Sequence, residues 1–224
     1  MEDINLNDVE EQLYQTFKKT LTEFAKTEAN KDVYAIVFDC EVADQYVYPR
    51  YASESDYEKL LADYERYAHM YEPYGLKGLF GYKYSSIGDF NYIECDAAND
   101  ILDQFRDWYD RVQRYEIDVF EDENAERPDV AFEYKGKTLK CDTPVKELLE
   151  CENRLSEKLF SLFEDIIVNC IERLKADDLG LDKTADFIMF MCDHDESNED
   201  FAEGVSRTVD KELFERLTDY SDLS

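Results

Sequence analysis

The stretch VYAIVF, residues 33 to 38, indicates the fold of this chain. Six apolar, β-favouring residues in succession are typical of a strand covered on both faces, because a half-exposed strand alternates apolar and polar side chains. The stretch DFIMFMC, residues 186 to 192, has the same character. Two such strands need apolar material on both sides, so we expect helices to sandwich them.

Amphipathic stretches that could supply those helices are spread along the whole chain, and no linker or repeat divides it. We therefore predict one α+β domain over residues 1–224, with a central mixed β-sheet, two doubly covered strands and flanking amphipathic helices. Five helical stretches are predicted: from the N-cap Asn7 to near Asn30, from Ser53 to Glu72, over 97–112, from Thr143 to Leu179, and over 209–217. The fourth stretch is either one helix or two helices broken near 151–154. The other elements are a strand over 45–49 ended by Pro49, a loop over 115–129, and a hairpin over 130–141 with its turn at Lys135–Lys137.

Charge is the dominant feature of the composition. The chain has 55 acidic and 25 basic residues among 224, which gives a formal net charge of -30. Hydrophobic residues make up 44% of it, enough for a core despite the self-repulsion of so many carboxylates. Direct binding to nucleic acid or anionic lipid is disfavoured because phosphate contacts need Lys and Arg. The balance favours a basic protein partner.

The N-terminal stretch and the cysteines bear on localisation. MEDINLNDVEEQLY has neither the basic start nor the apolar run of a signal peptide, and no apolar run in the chain approaches the ~20 residues that span a bilayer. The six cysteines, at positions 40, 95, 141, 151, 170 and 192, form no CxxC pair. We interpret them as reduced thiols and expect a cytoplasmic protein that does not bind a membrane.

Acidic residues follow both apolar strands. The first strand leads into FDCE and the last into DHDESNEDFAE, which holds six acids and no base. If the two strands are parallel, their carboxyl ends share one edge and the acids converge; if they are antiparallel, the acids lie on opposite edges. We expect these acids to accept salt bridges from a partner, together with weaker candidates from the 115–129 stretch. The candidates are Asp193, Asp195, Glu196, Glu199 and Asp200, then Asp39 and Glu41, and finally Glu121, Asp122 and Glu123.

A metal site or a catalytic site is disfavoured by the same stretches. The alternation of acids from Asp193 resembles a calcium loop, but Asn198 and Gly204 occupy the sixth and twelfth positions, where Gly and Glu are required. A transition-metal site at His194 would need a second histidine, and the other one, His69, falls on a predicted helix. No nucleophile motif is present, and acids rather than bases flank Cys40, in FDCEVAD, and Cys192, in MCDHDE. We therefore predict no metal, no cofactor and no catalytic residue.

Tyrosine is abundant and is interleaved with the acids. The chain has 17 Tyr, many of them in QYVYPRY and DYEKLLADYERYAHMYEPY. Tyrosine is enriched in interfaces because its ring provides contact area and its hydroxyl a polar tip. A surface of Tyr with Asp and Glu suits a basic protein, since complementary charge speeds association and sets specificity.

The layout resembles an uncharacterised group of bacterial domains found among the immunity proteins of polymorphic toxin systems. The segments similar in order and character are the first helix, VYAIVFDCE, QYVYPRYAS with its following helix, the late helix to LGL, DFIMFMCDHDE, and VSRTVDKELFERL. The resemblance implies a cytosolic protein that binds and blocks one cognate toxin, such as a nuclease or another intracellular enzyme. It carries over no catalytic residues.

The resulting hypothesis is an immunity-type protein that occludes a basic toxin through an acidic, Tyr-rich surface. One alternative is a phage-type DNA mimic, which needs carboxylates in regular surface rows. A second is an enzyme that acts on a small cationic substrate in a pocket beneath GLKGLFGYKYSS, residues 75 to 86.

Overall fold

The computed structural model describes residues 2–41, 46–66, 90–150, 153–192, 205–209 and 211. Within these ranges helices and strands are mixed along the chain, which confirms the predicted α+β class. The strands are β1 (Glu2–Asn5), β2 (Val33–Glu41), β3 (Tyr46–Ser53), β4 (Asn91–Tyr92), β5 (Val130–Tyr134), β6 (Lys137–Lys140) and β7 (Lys183–Cys192). The helices are α1 (Leu6–Phe24), α2 (Glu54–Arg66), α3 (Asp96–Asp118), α4 (Val145–Leu149) and α5 (Leu155–Lys175).

The described strands form two sheets. The larger has the order β4-β3-β2-β7, in which β2 runs antiparallel to β3 and parallel to β7. The smaller has the order β1-β5-β6, with β1 parallel to β5 and the β5–β6 hairpin antiparallel. The mixed sheet was expected, whereas the second sheet and the strand β1 were not.

The strands β2 and β7 are covered on both faces, as their apolar sequences predict. On one face Phe38 meets Phe17 of α1, with 4.8 Å between ring centroids, in a core that also includes α3 and α5. On the other face Tyr34 and Phe190 belong to a second cluster that includes Phe90. The first core also contains apolar residues of the smaller sheet, so it joins the two sheets. The single-domain prediction is consistent with this shared core and stays a prediction.

Two helix starts differ from the sequence prediction. The N-cap of α1 is Asn5, whose side chain accepts a hydrogen bond from the backbone N–H of Asn7, so the helix begins two residues earlier than expected. Thr143 does not cap α4; its hydroxyl donates to the carbonyl of Asn153, and Pro144 precedes the helix. The predicted helix start at Ser53 is confirmed: α2 begins at Glu54, and the N–H and hydroxyl of Ser53 both donate to the carboxylate of Asp56.

Pro49 does not end its strand, because β3 continues to Ser53. In an antiparallel strand the nitrogen and the carbonyl of one residue face the same neighbour, and the Pro49 carbonyl accepts from Ile93, just beyond the two-residue strand β4. The missing N–H therefore faces the weakly paired side of β3, where proline is tolerated.

The 115–129 stretch is not entirely a loop, because α3 continues to Asp118. Tyr115 and Val119 are buried and extend the apolar stripe of the helix, which the high acid content concealed. The hairpin is confirmed, with Lys135 and Gly136 at positive φ of 48° and 76° as a two-residue type I′ turn requires. The stretch from Thr143 to Leu179 forms two helices, α4 and α5, rather than one, which is one of the two predicted alternatives.

Candidate binding surface

The first predicted acceptors, Asp193, Asp195, Glu196, Glu199 and Asp200, lie outside the described residues. The arrangement of the strands that lead to them is nevertheless clear: β2 and β7 are parallel neighbours, with Asp39 opposite Cys192. The acidic segment therefore follows β7 at the same sheet edge where β2 ends with Glu41. This is the parallel arrangement of the two that the sequence left open.

Asp39 is not an exposed acceptor, because its side chain is fully buried. Its carboxylate lies 2.6 Å from the guanidinium of Arg50, which is also buried. Removing either partner of such a pair leaves an uncompensated charge inside the protein, at a cost of about 3–5 kcal/mol. Asp39 therefore orders this end of the sheet, and a partner cannot reach its carboxylate.

The three weaker candidates, Glu121, Asp122 and Glu123, are exposed in the turns that follow α3. A fourth acid of the same stretch, Glu116, behaves differently, because it is only 2% exposed. Its carboxylate accepts from the backbone N–H of Leu155 at 2.6 Å and from the N–H and hydroxyl of Ser156. Glu116 thus caps the N-terminus of α5, where the helix has no side-chain cap of its own and its dipole favours a negative charge.

A line of tyrosines lies along β3 and β4 at this end of the larger sheet. The Tyr46 and Tyr48 rings are stacked, with centroids 6.0 Å apart, and Tyr92 meets Tyr48 edge-on at 6.3 Å. We call Tyr46, Tyr48 and Tyr92 the tyrosine ladder. The side chain of Tyr92 is 64% exposed, the largest exposed fraction of any large hydrophobic residue described, while the other two are half-buried.

Arginines hold both ends of the tyrosine ladder. The Arg50 guanidinium lies 4.0 Å from the centroid of the Tyr92 ring and donates to its hydroxyl at 2.6 Å. Arg106 of α3 lies 3.8 Å from the centroid of the Tyr46 ring. Because Arg50 is fixed by its ion pair with Asp39, the exposed Tyr92 is ordered before any partner arrives, and less side-chain entropy is lost on binding.

A regular line of carboxylates runs along the solvent face of α3. Asp96, Asp100, Asp103, Asp107 and Asp110, here called the aspartate row, are all exposed and follow each other at intervals of four, three, four and three residues. That spacing keeps all five within one narrow stripe of a helix. Over the 14 steps from the first to the last, the row is roughly 21 Å long at ~1.5 Å per residue.

The aspartate row and the tyrosine ladder are joined. Asp103 accepts a salt bridge from Arg106 at 2.7 Å, and the same guanidinium covers Tyr46. The side-chain amide oxygen of Asn99, on α3, accepts from the backbone N–H of Val47, on β3. The two features therefore form one continuous surface, acidic along α3 and aromatic along the sheet edge.

The sequence carried a signal for both parts. The 4-3-4-3 spacing of Asp is visible within the predicted helix, where the apolar side was the one considered. The alternation in QYVYPRY places Tyr46, Tyr48 and Arg50 on one side of a strand. The contribution of Tyr92 depends on the pairing of β4 with β3, which no local pattern indicates.

The described cysteines are unsuited to nucleophilic chemistry. All five are buried and form no disulfide: Cys40, Cys95, Cys141, Cys170 and Cys192. Burial is the main cause of raised thiol pKa values among them. It raises the pKa of Cys95, and it raises the pKa of Cys141 to about 11 and that of Cys170 to about 12. A thiol needs a lowered pKa and access to act as a nucleophile.

Other kinds of site are not found within the described ranges. They contain no group of three or more His, Cys, Asp or Glu side chains that could hold a metal ion, and both histidines lie outside them. The glycine-rich segment of the enzyme alternative lies outside them too. No helix in the described part of the chain has the length and apolarity needed to cross a membrane. Comparison of the chain with family models, curated proteins and solved structures gave no match.

Proposed function

We propose that this chain is an immunity-type binding protein that neutralises a basic toxin by covering the toxin's cationic surface in a one-to-one complex. The observation that carries the proposal is the junction of the aspartate row with the tyrosine ladder through Asp103, Arg106 and Tyr46. Aromatic anchors beside a charged margin are the usual composition of a specific interface. That the basic partner is a toxin rests on the family resemblance described above.

The two parts of the surface have different roles in this proposal. Carboxylates of the aspartate row act at long range and raise the rate of association with a basic protein, an effect that salt weakens. The tyrosine ladder acts only at contact, so it sets how long the complex lasts. The acids from Asp193 to Asp200 follow β7 along the chain, and their replacement by Ala is also expected to slow association.

The test is a pull-down from the native host at low and at physiological salt, followed by kinetics with the retained protein. Replacing Asp100, Asp103 and Asp107 together by Asn is expected to lower the association rate at low salt by about tenfold. The matched control replaces three exposed acids elsewhere by Gln, with the same change in net charge: Glu23, Glu28 and Glu133. Equal slowing in both variants would show that net charge alone drives binding and that the row has no special role.

A DNA mimic is the second candidate, and the aspartate row is the observation that favours it. One strand of DNA carries a phosphate every ~3.4 Å along the axis, so the roughly 21 Å of the row span about six phosphate intervals, against the four intervals between its five carboxylates. A mimic would bind many unrelated DNA-binding proteins through charge alone. Tyr92→Ala discriminates the two: it should speed dissociation from a dedicated partner and leave the binding of a mimic to its targets unchanged.

A further inference from the structure

Two large apolar side chains are exposed where α3 ends. Ile117 is 56% exposed and Phe120 is 48% exposed, whereas the neighbouring Tyr115 and Val119 are buried. The guanidinium of Arg154 lies 5.6 Å from the centroid of the Phe120 ring, which places Phe120 beside the start of α5. Exposed apolar groups that lie close together are typical of interaction sites.

A groove of about 450 Å³, lined in part by Ile117, lies between α3 and the first turns of α5. Its lining includes the apolar side chains of Ile117 and Phe160 and the buried Tyr109. Among the described residues that line it, Arg154 is the one basic residue. Because Glu116 bonds directly to the N-terminus of α5, the two helices that form the walls are tied together, and the groove exists before binding.

The fold does not need apolar residues at these exposed positions. Ile is a weaker helix former than Glu, Lys or Gln, and neither Ile117 nor Phe120 belongs to the buried clusters or to the residues packed against them. In a chain with 36% charged residues, an exposed aliphatic side chain at the end of a helix is therefore better explained by an occupant than by folding.

Carboxylates surround the apolar centre. Glu157 lines the groove, and Glu121, Asp122 and Glu123 follow Phe120 along the chain in exposed turns. We infer that this groove receives an apolar side chain of the basic partner, carried on a segment in which Lys or Arg flanks it. The apolar centre provides the contact, and the acidic margin selects the flanking charges. This inference rests on the proposed function and adds a second contact to it, at the far end of α3.

The probe is a fluorescein-labelled 14-residue helical peptide of Leu and Lys, titrated into the purified chain at physiological salt. The double variant Ile117→Asn, Phe120→Asn is expected to weaken binding by about tenfold, as loss of a central anchor does. Leu149→Asn is the matched control, because Leu149 is also exposed, at 36%, but does not line the groove. A 14-residue peptide of Lys and Ala should bind the wild-type chain and the double variant equally, since only the carboxylates attract it.

Two results would overturn the inference. One is equal affinity of the Leu and Lys peptide for the wild-type chain and the double variant. The other is a wild-type dimer in analytical ultracentrifugation that the double variant dissociates, because the occupant would then be a second copy of the chain. The aspartate-row variants are not used here, so failure of this test leaves the kinetic test of the proposed function intact, and the reverse also holds.

Discussion

Asp100→Asn should make the protein more stable, because every charged neighbour of Asp100 on the helix surface repels it. Residues three and four apart on a helix are neighbours, and those of Asp100 are Asp96, Ala97, Asp103 and Gln104. Two like-charge contacts are relieved and no attractive one is lost. At roughly 0.2–0.5 kcal/mol for each pair, the free energy of unfolding should rise by about 0.4–1 kcal/mol.

Asp110→Asn provides the control within the same row. Its neighbours are Arg106, Asp107, Gln113 and Arg114, so this substitution loses two attractive contacts and one repulsive contact. The free energy of unfolding should therefore fall slightly, by about 0.2–0.5 kcal/mol. Both changes replace one exposed Asp by Asn in the same helix, where the two residues have similar helix propensity.

Urea unfolding followed by circular dichroism, at low salt and at 1 M NaCl, measures the difference. At 1 M the screening length is only ~3 Å, so the two variants should converge on the wild type. If both substitutions stabilised the protein equally, relief of the total charge would explain the effect and the local argument would be wrong. A stabilising Asp100→Asn that also weakens partner binding would show that the row is kept for function at a cost in stability.

Three further predictions concern carboxylates that connect separate elements of the fold. Glu116→Gln keeps the shape but loses the charge that caps α5, so we expect a loss of about 2–3 kcal/mol in urea unfolding, with the helix content of the native state unchanged. Asp39→Asn leaves the buried guanidinium of Arg50 without its counter-charge and should cost about 3–5 kcal/mol; a change below 1 kcal/mol would mean that water reaches the pair. The hydrogen bond from Tyr14 lowers the pKa of Asp177. The ionised Asp177 carboxylate therefore stabilises the fold at neutral pH, and this stabilisation is lost as the pH falls through the lowered pKa. Wild type and Asp177→Asn should therefore differ in stability at pH 7 and converge in acid, and a difference that persisted at low pH would contradict this assignment.

The sequence predicted those parts of the fold that depend on local pattern. VYAIVF and DFIMFMC predicted strands covered on both faces, because a continuous apolar run of this length is stable only when it is buried. Gly136 predicted the hairpin turn, because glycine adopts a positive φ easily. The stripe of α1 followed from its helical spacing, although Asn5 rather than Asn7 caps it, because both are good cap residues and the choice depends on where β1 ends.

The site was less predictable because its members come from distant parts of the chain. In the sequence Asp39 is one of several acids that follow an apolar run. Only the pairing of β2 with β3 shows that Arg50 lies close enough to form an ion pair with it in the interior. Glu116 sat in a stretch so acidic that its structural role was hidden, and its partner, the start of α5, is about 40 residues away. Local sequence carries no information on such pairings, whereas it does carry the spacing of the aspartate row.

The parallel pairing of β2 with β7 also has a consequence for biosynthesis. Val33 lies opposite Lys183, so the larger sheet cannot close until the ribosome has released the whole stretch between them and β7 itself. Bringing two such distant strands together is entropically costly, and sheets of this kind form late and slowly. During that interval β2 exposes an apolar edge, and the net charge of -30 helps to keep such incomplete chains apart. The same carboxylates that suit a basic partner would then act earlier, as protection against aggregation during synthesis.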